Sequence, residues 1–109
     1  MVNIRVLPPT QEDIRYCIEY ARDEFGRKCV LRWKKELEAI YARLIMFPLS
    51  YSPEPILKDF HRDYHSALLM DNFKLIYRYD KERDEIVIVD IWYTKRSQQA
   101  LLRQFKRKL

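Results

Sequence analysis

The sequence predicts a small α+β fold in which a helix hairpin packs on one face of a four-stranded β-sheet. Three observations predict it: a short alternating segment opens the chain, two long segments then carry apolar residues at spacings of three and four, and three strand-like segments follow closely. Spacings of three and four place side chains on one face of a helix, whereas alternation is typical of a half-buried strand. The length of 109 residues suits one domain, so we expect a single domain over residues 1–109.

An N-terminal strand and a helix hairpin are predicted for the first half of the chain. Their expected bounds are residues 2–7 for the strand, 11–25 for the first helix and 28–46 for the second. Thr10 is a good N-cap for the first helix, because its hydroxyl can accept a free backbone N–H. Gly26 is the only glycine in the sequence, and it is expected to end that helix. Pro48 ends the second helix.

A three-stranded antiparallel meander and a C-terminal helix are predicted for the second half. The expected strands are residues 62–70, 73–80 and 85–94. Asp71-Asn72 is expected to form a two-residue turn between the first two strands, because both residues tolerate positive φ. Residues 86–89 form a nearly continuous β-branched run, which predicts a central strand covered on both faces. Ser97 is expected to cap the last helix.

The positive charge is concentrated at the C-terminus. The net charge is +5, and the segment from Lys95 to Leu109 contains six basic residues and no acidic one. Such a segment suits an acidic partner, either nucleic acid or an acidic protein segment. The alternative is a solvated helix end whose cations complement the helix dipole. The candidate residues for target or nucleic-acid binding are Lys95, Arg96, Arg103, Lys106, Arg107 and Lys108.

Several classes of protein are disfavoured by the sequence. No apolar run approaches the roughly 20 residues of a membrane span, and the N-terminus lacks the pattern of a signal peptide, so we expect a cytoplasmic protein without a membrane partner. Cys17 and Cys29 are expected to be reduced, packed thiols. His61 and His65 are four residues apart but have no third ligand in reach, so we expect no metal and no cofactor.

Two segments carry a resemblance to a known family. Residues 73–80 read Phe-Lys-Leu-Ile-Tyr-Arg-Tyr-Asp, and after a polar turn residues 86–96 read Ile-Val-Ile-Val-Asp-Ile-Trp-Tyr-Thr-Lys-Arg. Together with Phe47-Pro48 at the end of the hairpin, these segments resemble the signature of the RelE/ParE toxin superfamily of type II toxin–antitoxin systems, which includes plasmid stabilisation proteins. Tyr77-Arg78, Trp92-Tyr93 and the basic last helix are more similar to the ParE-like branch.

The resemblance implies a sheet with the first strand beside the last, the hairpin on one face and the other face free. A two-residue turn would then pair three residues of the first meander strand with three of the second. The predicted pairs, all on the free and partly basic face, are His65 with Arg78, Ala67 with Ile76 and Leu69 with Lys74. The side chains expected beneath the hairpin are Leu68, Leu75, Tyr77, Ile88 and Trp92.

Some members of the superfamily cut mRNA on the ribosome, using basic groups and a Tyr or His around the scissile phosphate. Lys74 and Arg96 match two functional arginines of that branch. The branch has a lysine pair where this chain has His65 and Ala67, and a tyrosine where it has Leu102. A substitute catalytic set can be drawn, with His65 as base, Tyr93 as acid and cations stabilising the phosphorane. The set is His65, Lys74, Arg78, Tyr93 and Arg96; the alternative is that these residues form surface pairs, rim packing and a solvated face.

The other main branch binds DNA gyrase and lacks the catalytic set. The sequence therefore favours a toxin that inhibits growth by binding an essential target such as DNA gyrase, neutralised by a cognate antitoxin. The alternatives are a ribosome-dependent mRNA endoribonuclease, a degenerate inactive toxin, or a nucleic-acid-binding module. An acidic, extended antitoxin segment is expected to bind the free sheet face and its edges.

Overall fold

The computed structural model describes residues 2–109, and its order of elements is the predicted one. In chain order the elements are β1 (Asn3–Val6), α1 (Pro8–Phe25), α2 (Arg27–Met46), β2 (Tyr64–Leu69), β3 (Phe73–Asp80), β4 (Glu85–Tyr93) and α3 (Gln98–Arg107). A single 3₁₀ turn, Pro55–Leu57, lies in the long connection between α2 and β2. In the described part of the chain, no helix is long and apolar enough to cross a membrane.

The four strands form one mixed sheet with the order β1-β4-β3-β2. β2, β3 and β4 form the predicted antiparallel meander. β1 lies beside β4, as the resemblance implied, and pairs with it in parallel, from Asn3 opposite Glu85 to Val6 opposite Ile88. The predicted α+β class is therefore confirmed, with β1 as the one parallel strand of the sheet.

Three of the four predicted helix boundaries are confirmed, including the end of α2 at Met46, two residues before Pro48. Gly26 separates α1 from α2 with a φ of +86°, which a residue with a side chain rarely adopts. The Ser97 hydroxyl caps α3 by accepting the N–H of Ala100 at 3.1 Å. The prediction that Thr10 caps α1 is wrong. α1 begins at Pro8, because proline suits the first turn of a helix, and Thr10 is fully buried with its hydroxyl donating to the Val89 carbonyl at 2.8 Å.

The helix hairpin covers one face of the sheet and forms the larger core. The buried residues of α1 and α2 follow the predicted apolar stripes, and they pack on alternate residues of the strands. They include Ile14, Ala21, Trp33, Ile40 and Leu44 from the helices, and Ala67, Leu69, Leu75, Tyr77, Ile86, Ile88 and Ile91 from the sheet. Phe25, the last residue of α1, lies outside this core and is 70% exposed.

The second face of the sheet, expected to be free, is covered. α3 packs Leu101 and Phe105 against it, and the α2–β2 connection adds Leu57. Strand residues of this second core are Tyr64, Ile76, Val87, Val89 and Trp92. The expectation of a free face is therefore wrong, because β4 is apolar on both sides and both sides must be removed from water.

The predicted pairing of β2 with β3 is wrong by one residue. The turn between them has three residues instead of two, with positive φ at Met70 and Asp71, so Leu69 lies opposite Phe73. Tyr64, and not His65, is opposite Arg78. A shift of one residue moves every side chain of a strand to the other face. The side chains exchanged by the shift are His65, Ala67 and Leu69, which lie beneath the hairpin, and Leu68, which is 61% exposed on the opposite side.

A β-bulge between β3 and β4 moves Trp92 away from its predicted face. The pairing runs from Tyr77 opposite Ile88 to Ile76 opposite Asp90, which leaves Val89 without a partner across the ladder. Trp92 consequently packs under α3, whereas the sequence placed it under the hairpin. The Thr10 hydroxyl satisfies the Val89 carbonyl at this bulge.

Candidate functional site

His65 lies in the interior beneath the hairpin. It is 8% exposed, its Nδ1–H donates to the Tyr51 carbonyl at 2.7 Å, and its ring stacks on Tyr77 with centroids 5.5 Å apart. The Arg43 guanidinium lies 4.1 Å above the Tyr51 ring, and burial raises the pKa of Tyr77 to about 12. These contacts give His65 a packing role that joins β2 to the α2–β2 connection.

Lys74 lies on the opposite face, where it is paired with a buried carboxylate. Its Nζ is 2.8 Å from Oε1 of Glu54, whose side chain is fully buried. Glu54 also accepts the Ser66 hydroxyl at 2.9 Å and the Ile56 N–H at 3.0 Å. Lys74 therefore holds the connection against the sheet, and its charge is largely neutralised within the protein.

Arg78 is on the same face as Lys74, opposite Tyr64 and Val87. It is half-buried, and burial together with the positive charge of Arg62 lowers the pKa of its guanidinium. It remains charged at neutral pH, because an arginine in a protein does not lose its proton there. His65 is thus separated by the sheet from Lys74 and Arg78.

Tyr93 and Arg96 are the two candidate catalytic residues that share a cavity. This cavity, here the cationic cavity, has a volume of about 500 Å³ and lies between α1, the end of β4 and α3. Arg96, Arg107 and Lys108 bring positive charge to it, and Asp13 brings the one carboxylate among its lining residues. Aromatic rings complete its wall: Tyr16, Phe73 and Tyr93.

A second cavity continues the first along α1. This aromatic cavity has a volume of about 550 Å³, and it shares Tyr16, Cys17, Phe73 and Tyr93 with the cationic cavity. Tyr20, Phe25, Cys29, Trp33 and Met70 also line it. Three of the lining tyrosines are exposed to solvent: Tyr16 is 69% exposed, Tyr20 53% and Tyr93 40%. The two cavities form one groove that is cationic at one end and aromatic at the other.

Both cysteines lie in this groove as free thiols, as expected. Burial, and to a lesser extent the negative charge of Asp13, raises the pKa of Cys17 to about 11. Cys17 is therefore protonated at neutral pH and is a weak nucleophile. Among residues 2–109, no three His, Cys, Asp or Glu side chains come together as a set of metal ligands.

Lys108 differs from the other basic residues of the C-terminal segment. Its Nζ pairs with both Asp13 and Asp90, and only 10% of its side chain is exposed. Asp90 is fully buried and also accepts the Trp92 indole N–H at 2.8 Å and the Gln104 amide at 2.9 Å. This ion-pair network fixes α3 to β4 and α1, so Lys108 is not available as a free cation.

The remaining basic residues of the segment are exposed. Across the part of the chain that the structure describes, none of them forms an ion pair, and Arg96 makes only a hydrogen bond to the Gln104 side chain. We refer to these five as the C-terminal cations: Lys95, Arg96, Arg103, Lys106 and Arg107. Arg103, Lys106 and Arg107 lie three and four residues apart, so they occupy one exposed face of α3.

The contribution of α1 to this groove was not predicted from the sequence. Tyr16 and Tyr20 are exposed and lie off the face of α1 that carries its buried residues, Thr10, Ile14 and Ala21. Two aromatic rings four residues apart on a polar face were the available signal. Nothing in the sequence indicated that Glu54 and Asp90 would be buried, because the residues next to them in the chain do not predict their cationic partners.

Comparisons with known proteins agree with this architecture. The crystal structure of the isolated E. coli RelE toxin superposes with a TM-score of 0.59 over 98% of each chain, at 13% sequence identity. The chain therefore has the fold of a RelE-type toxin. A sequence model of the family described as the ParE toxin of the type II toxin–antitoxin system parDE matches residues 4–98, so the chain belongs to this toxin family. No curated protein sequence matches significantly. Membership in the family implies a cognate antitoxin as partner.

Proposed function

We propose that this toxin inhibits growth by binding an essential target, with DNA gyrase as the leading candidate, and does not act by cleaving RNA. The observation that carries the proposal is the dispersal of the candidate catalytic groups. His65 is buried beneath the hairpin, Lys74 is paired with Glu54 on the other face, and only Tyr93 and Arg96 share a cavity. RNA cleavage needs a proton acceptor, a proton donor and cations around one phosphate.

The C-terminal cations support a binding function. They carry five positive charges that no carboxylate of the described chain neutralises, and they lie on α3 and the loop before it. A concentrated positive surface accelerates association with an acidic partner and selects against basic ones. The dispersal of the candidate acid–base groups does not weaken such a surface, because binding requires only charge and shape.

The proposal is tested with purified toxin in a gyrase supercoiling assay. Arg103, Lys106 and Arg107 are replaced together by glutamine, which removes three charges from the exposed face of α3. We expect the concentration needed for half-inhibition to rise about tenfold or more, because each contact of a surface charge with a partner contributes a few tenths to one kcal/mol. In the matched control, glutamine replaces Arg27, Lys28 and Lys35, which are three exposed cations of α2. This variant should inhibit gyrase as the wild type does.

Substitution is preferable to truncation for this test. Removing the chain after Leu102 would also remove Phe105, which is fully buried, and Lys108, which anchors α3. The truncated protein would lose folding together with charge. Full supercoiling activity of gyrase in the presence of excess wild-type toxin would contradict gyrase as the target.

Ribosome-dependent RNA cleavage is the second candidate, because Tyr93 and Arg96 adjoin in one cavity. It requires the phenolic hydroxyl or the guanidinium, so Tyr93→Phe or Arg96→Gln should abolish toxicity and mRNA cleavage on translating ribosomes. The typical loss is about 10²- to 10⁴-fold for a general acid or base. For a binding toxin, Tyr93→Phe preserves the ring and should leave toxicity nearly intact.

The antitoxin is proposed to bind the groove and the C-terminal cations, since the sheet face first expected to receive it is covered. The aromatic cavity offers exposed rings of Tyr20 and Phe25 to apolar side chains. The exposed cations beside it suit acidic side chains. An antitoxin segment that combines the two kinds of residue would fit both ends.

A further inference from the structure

We propose that two copies of this chain associate through the outer edge of β1, so that their two four-stranded sheets join into one continuous sheet. β1 is at one end of the strand order β1-β4-β3-β2, and its side away from β4 has no neighbouring strand among residues 2–109. The strand that fits this edge is β1 of a second copy, paired antiparallel. This assembly requires neither the antitoxin nor the target.

The two edges of the sheet differ in how they are covered. The outer edge of β2 is protected by the backbone of the α2–β2 connection, which donates to the Tyr64 carbonyl at 2.9 Å and accepts the Ser66 N–H at 3.2 Å. On the outer edge of β1, the Gln11 side chain is the one group of residues 2–109 that forms a hydrogen bond, donating to the Val6 carbonyl at 3.3 Å. An edge with unpaired backbone groups is a template for another strand.

The backbone groups that point outward from β1 follow from its pairing with β4. The N–H groups of Asn3 and Leu7 each donate to a carbonyl on the β4 side, at 3.1 Å. By strand alternation, the N–H and C=O of Ile4 and the N–H of Val6 point to the outer edge. The side chains of Ile4 and Val6 are half-buried against the larger core. A strand on this edge would satisfy these backbone groups and cover the remaining apolar surface of both side chains.

The sequence of β1 is complementary to itself in one antiparallel register. With a two-fold axis at Ile4, Ile4 lies opposite its own copy, Val2 opposite Val6, and Asn3 opposite Arg5. The apolar side chains then share the hairpin side of the joined sheet, and the polar ones share the other side. A slip of two residues would place Arg5 opposite Arg5, which is unfavourable, and a slip of one would exchange the faces.

The charges at this edge favour a second copy over an acidic segment. The Arg5 guanidinium is 3.2 Å from the Glu85 carboxylate, and both side chains are partly exposed. Glu85 lies opposite Asn3, and in the proposed register Asn3 lies opposite Arg5 of the other copy. Two arginines and two glutamates therefore alternate around the axis. An acidic strand would meet Glu85 as well as Arg5, so its charge would gain little here.

An apolar groove beside the edge extends the contact. It has a volume of about 360 Å³ and lies between α1 and α2. Its apolar lining residues are Val6, Ile14, Ile18 and Tyr41. In the proposed register Val2 of one copy lies opposite Val6 of the other, at the side of this groove. Pairing therefore adds apolar burial to the backbone hydrogen bonds, twice over because the contact is symmetric.

The joined sheet would have a consequence for target binding. A continuous sheet keeps both helix hairpins on one face and both copies of α3 on the other. The C-terminal cations of the two copies would then lie on the same side of one assembly. A bivalent basic surface binds a two-fold symmetric target more tightly than one copy does. This consequence rests on the proposed binding function, whereas the association itself does not.

The association is measured by sedimentation equilibrium from about 1 to 500 µM, which spans the dissociation constants of weak and small interfaces. The wild type should reach twice the monomer mass as its concentration rises. Ile4→Pro removes an N–H that β4 does not use, and proline is tolerated on an edge, so this variant should stay monomeric. Ile4→Val keeps the N–H and should dimerise as the wild type does. Circular dichroism checks that both variants are folded.

A charge reversal tests the register without changing the backbone. Arg5→Glu places like charges around the axis twice and should weaken dimerisation about tenfold or more. Adding Glu85→Arg restores the alternation of charges and should restore the dimer. Lys58→Glu is the control, because Lys58 is exposed on the α2–β2 connection.

Amide hydrogen exchange measured by NMR locates the contact. The Ile4 and Val6 amides should exchange more slowly as the toxin concentration rises, whereas the Asn3 and Leu7 amides are bonded within each copy and should be protected throughout. A monomer at about 500 µM would overturn the proposal, as would a dimer that is insensitive to both Ile4→Pro and Arg5→Glu. Protection of the Ile4 amide only when antitoxin is added would assign the edge to the antitoxin instead. None of these results depends on inhibition of gyrase.

Discussion

At the scale of single residues, the clearest feature is that a buried carboxylate is held by a lysine on the α3 side of the sheet. Burial alone would raise the pKa of Glu54, but hydrogen bonds from Lys74, the Ile56 N–H and the Ser66 hydroxyl outweigh it and lower the pKa below its ordinary value. Because the pKa is lowered on folding, the charged carboxylate stabilises the fold at neutral pH. That contribution is lost as the pH falls through the folded-state pKa.

Glu54→Gln should lower the free energy of unfolding at pH 7 by about 2 kcal/mol, because a charged acceptor of three hydrogen bonds is replaced by a neutral amide. The difference from wild type should begin to shrink as the pH falls below about 4.5, where the carboxylate of the unfolded chain takes up a proton, and should be smallest below the lower pKa of the folded state. Urea unfolding at pH 7 and pH 3 measures both effects.

Glu38→Gln is the control for this experiment, because Glu38 is exposed on α2 and should change stability by less than about 0.5 kcal/mol. A difference between wild type and Glu54→Gln that stays constant from pH 7 to pH 3 would show that packing, and not charge, is responsible.

The roles of single residues were the part of the site that the sequence predicted least well. Lys74 and Lys108 were assigned to a reactive or target-binding surface, and the structure pairs them with Glu54 and Asp90. The partners are 20 and 18 residues away along the chain. A lysine that meets a buried carboxylate and a lysine that meets solvent have the same local sequence, so the difference arises only from the fold.

At the scale of secondary-structure elements, α3 is attached to the sheet at two places. Leu101 and Phe105 pack into the second core, and Lys108 pairs with Asp90 on β4 and with Asp13 on α1. The apolar contacts fix the helix face, and the ion pairs fix its last turn. Removing one partner from a buried ion pair leaves the other charge without compensation, which is costly.

Lys108→Met should therefore lower the free energy of unfolding by about 3 kcal/mol, because Asp90 is fully buried and would lose its cation. It should also increase amide hydrogen exchange in α3 more than in α2. Lys106→Met is the matched control, an exposed lysine two positions away that forms no ion pair among residues 2–109, and should be nearly neutral. Equal stability of the two variants would exclude an anchoring role for Lys108.

The elements themselves were predicted well, whereas their register was not. β3 has the predicted bounds, Phe73–Asp80, and the predicted end of α2 at Met46 is observed. The prediction of the turn after β2 was wrong because Met70 adopts positive φ, which its residue type does not predict. Met70 therefore belongs to the loop, which is one residue longer than predicted. The bulge at Val89 then moved Trp92 to the other face. Both errors change side-chain faces, while the ends of β2 and β4 differ from their predicted positions by no more than two residues.

At the scale of the whole molecule, two independent signals disagreed about the second face of the sheet. The continuous apolar run of β4 predicted coverage on both sides, whereas the family resemblance implied one free face. The structure confirms the first, since Val87, Val89 and Trp92 are buried under α3. The local physical signal was the better guide, because an exposed β-branched run would lose the free energy of burial. Consequently, binding surfaces must be sought outside the sheet faces.

The distribution of charge over the molecule gives the last prediction, which concerns the antitoxin. The five C-terminal cations form the main excess of positive charge, and acidic side chains of a partner would neutralise them. Because these cations are exposed, salt screens their attraction, so raising the salt from 50 to 500 mM should weaken binding of the neighbouring gene product about tenfold or more.

In the variant with Arg103, Lys106 and Arg107 replaced by glutamine, the dependence of affinity on salt should be much flatter, whereas the Arg27, Lys28 and Lys35 control should retain it. Isothermal titration calorimetry at several salt concentrations measures the effect. Affinity that is independent of salt in the wild-type toxin would mean that the antitoxin binds through the aromatic cavity alone.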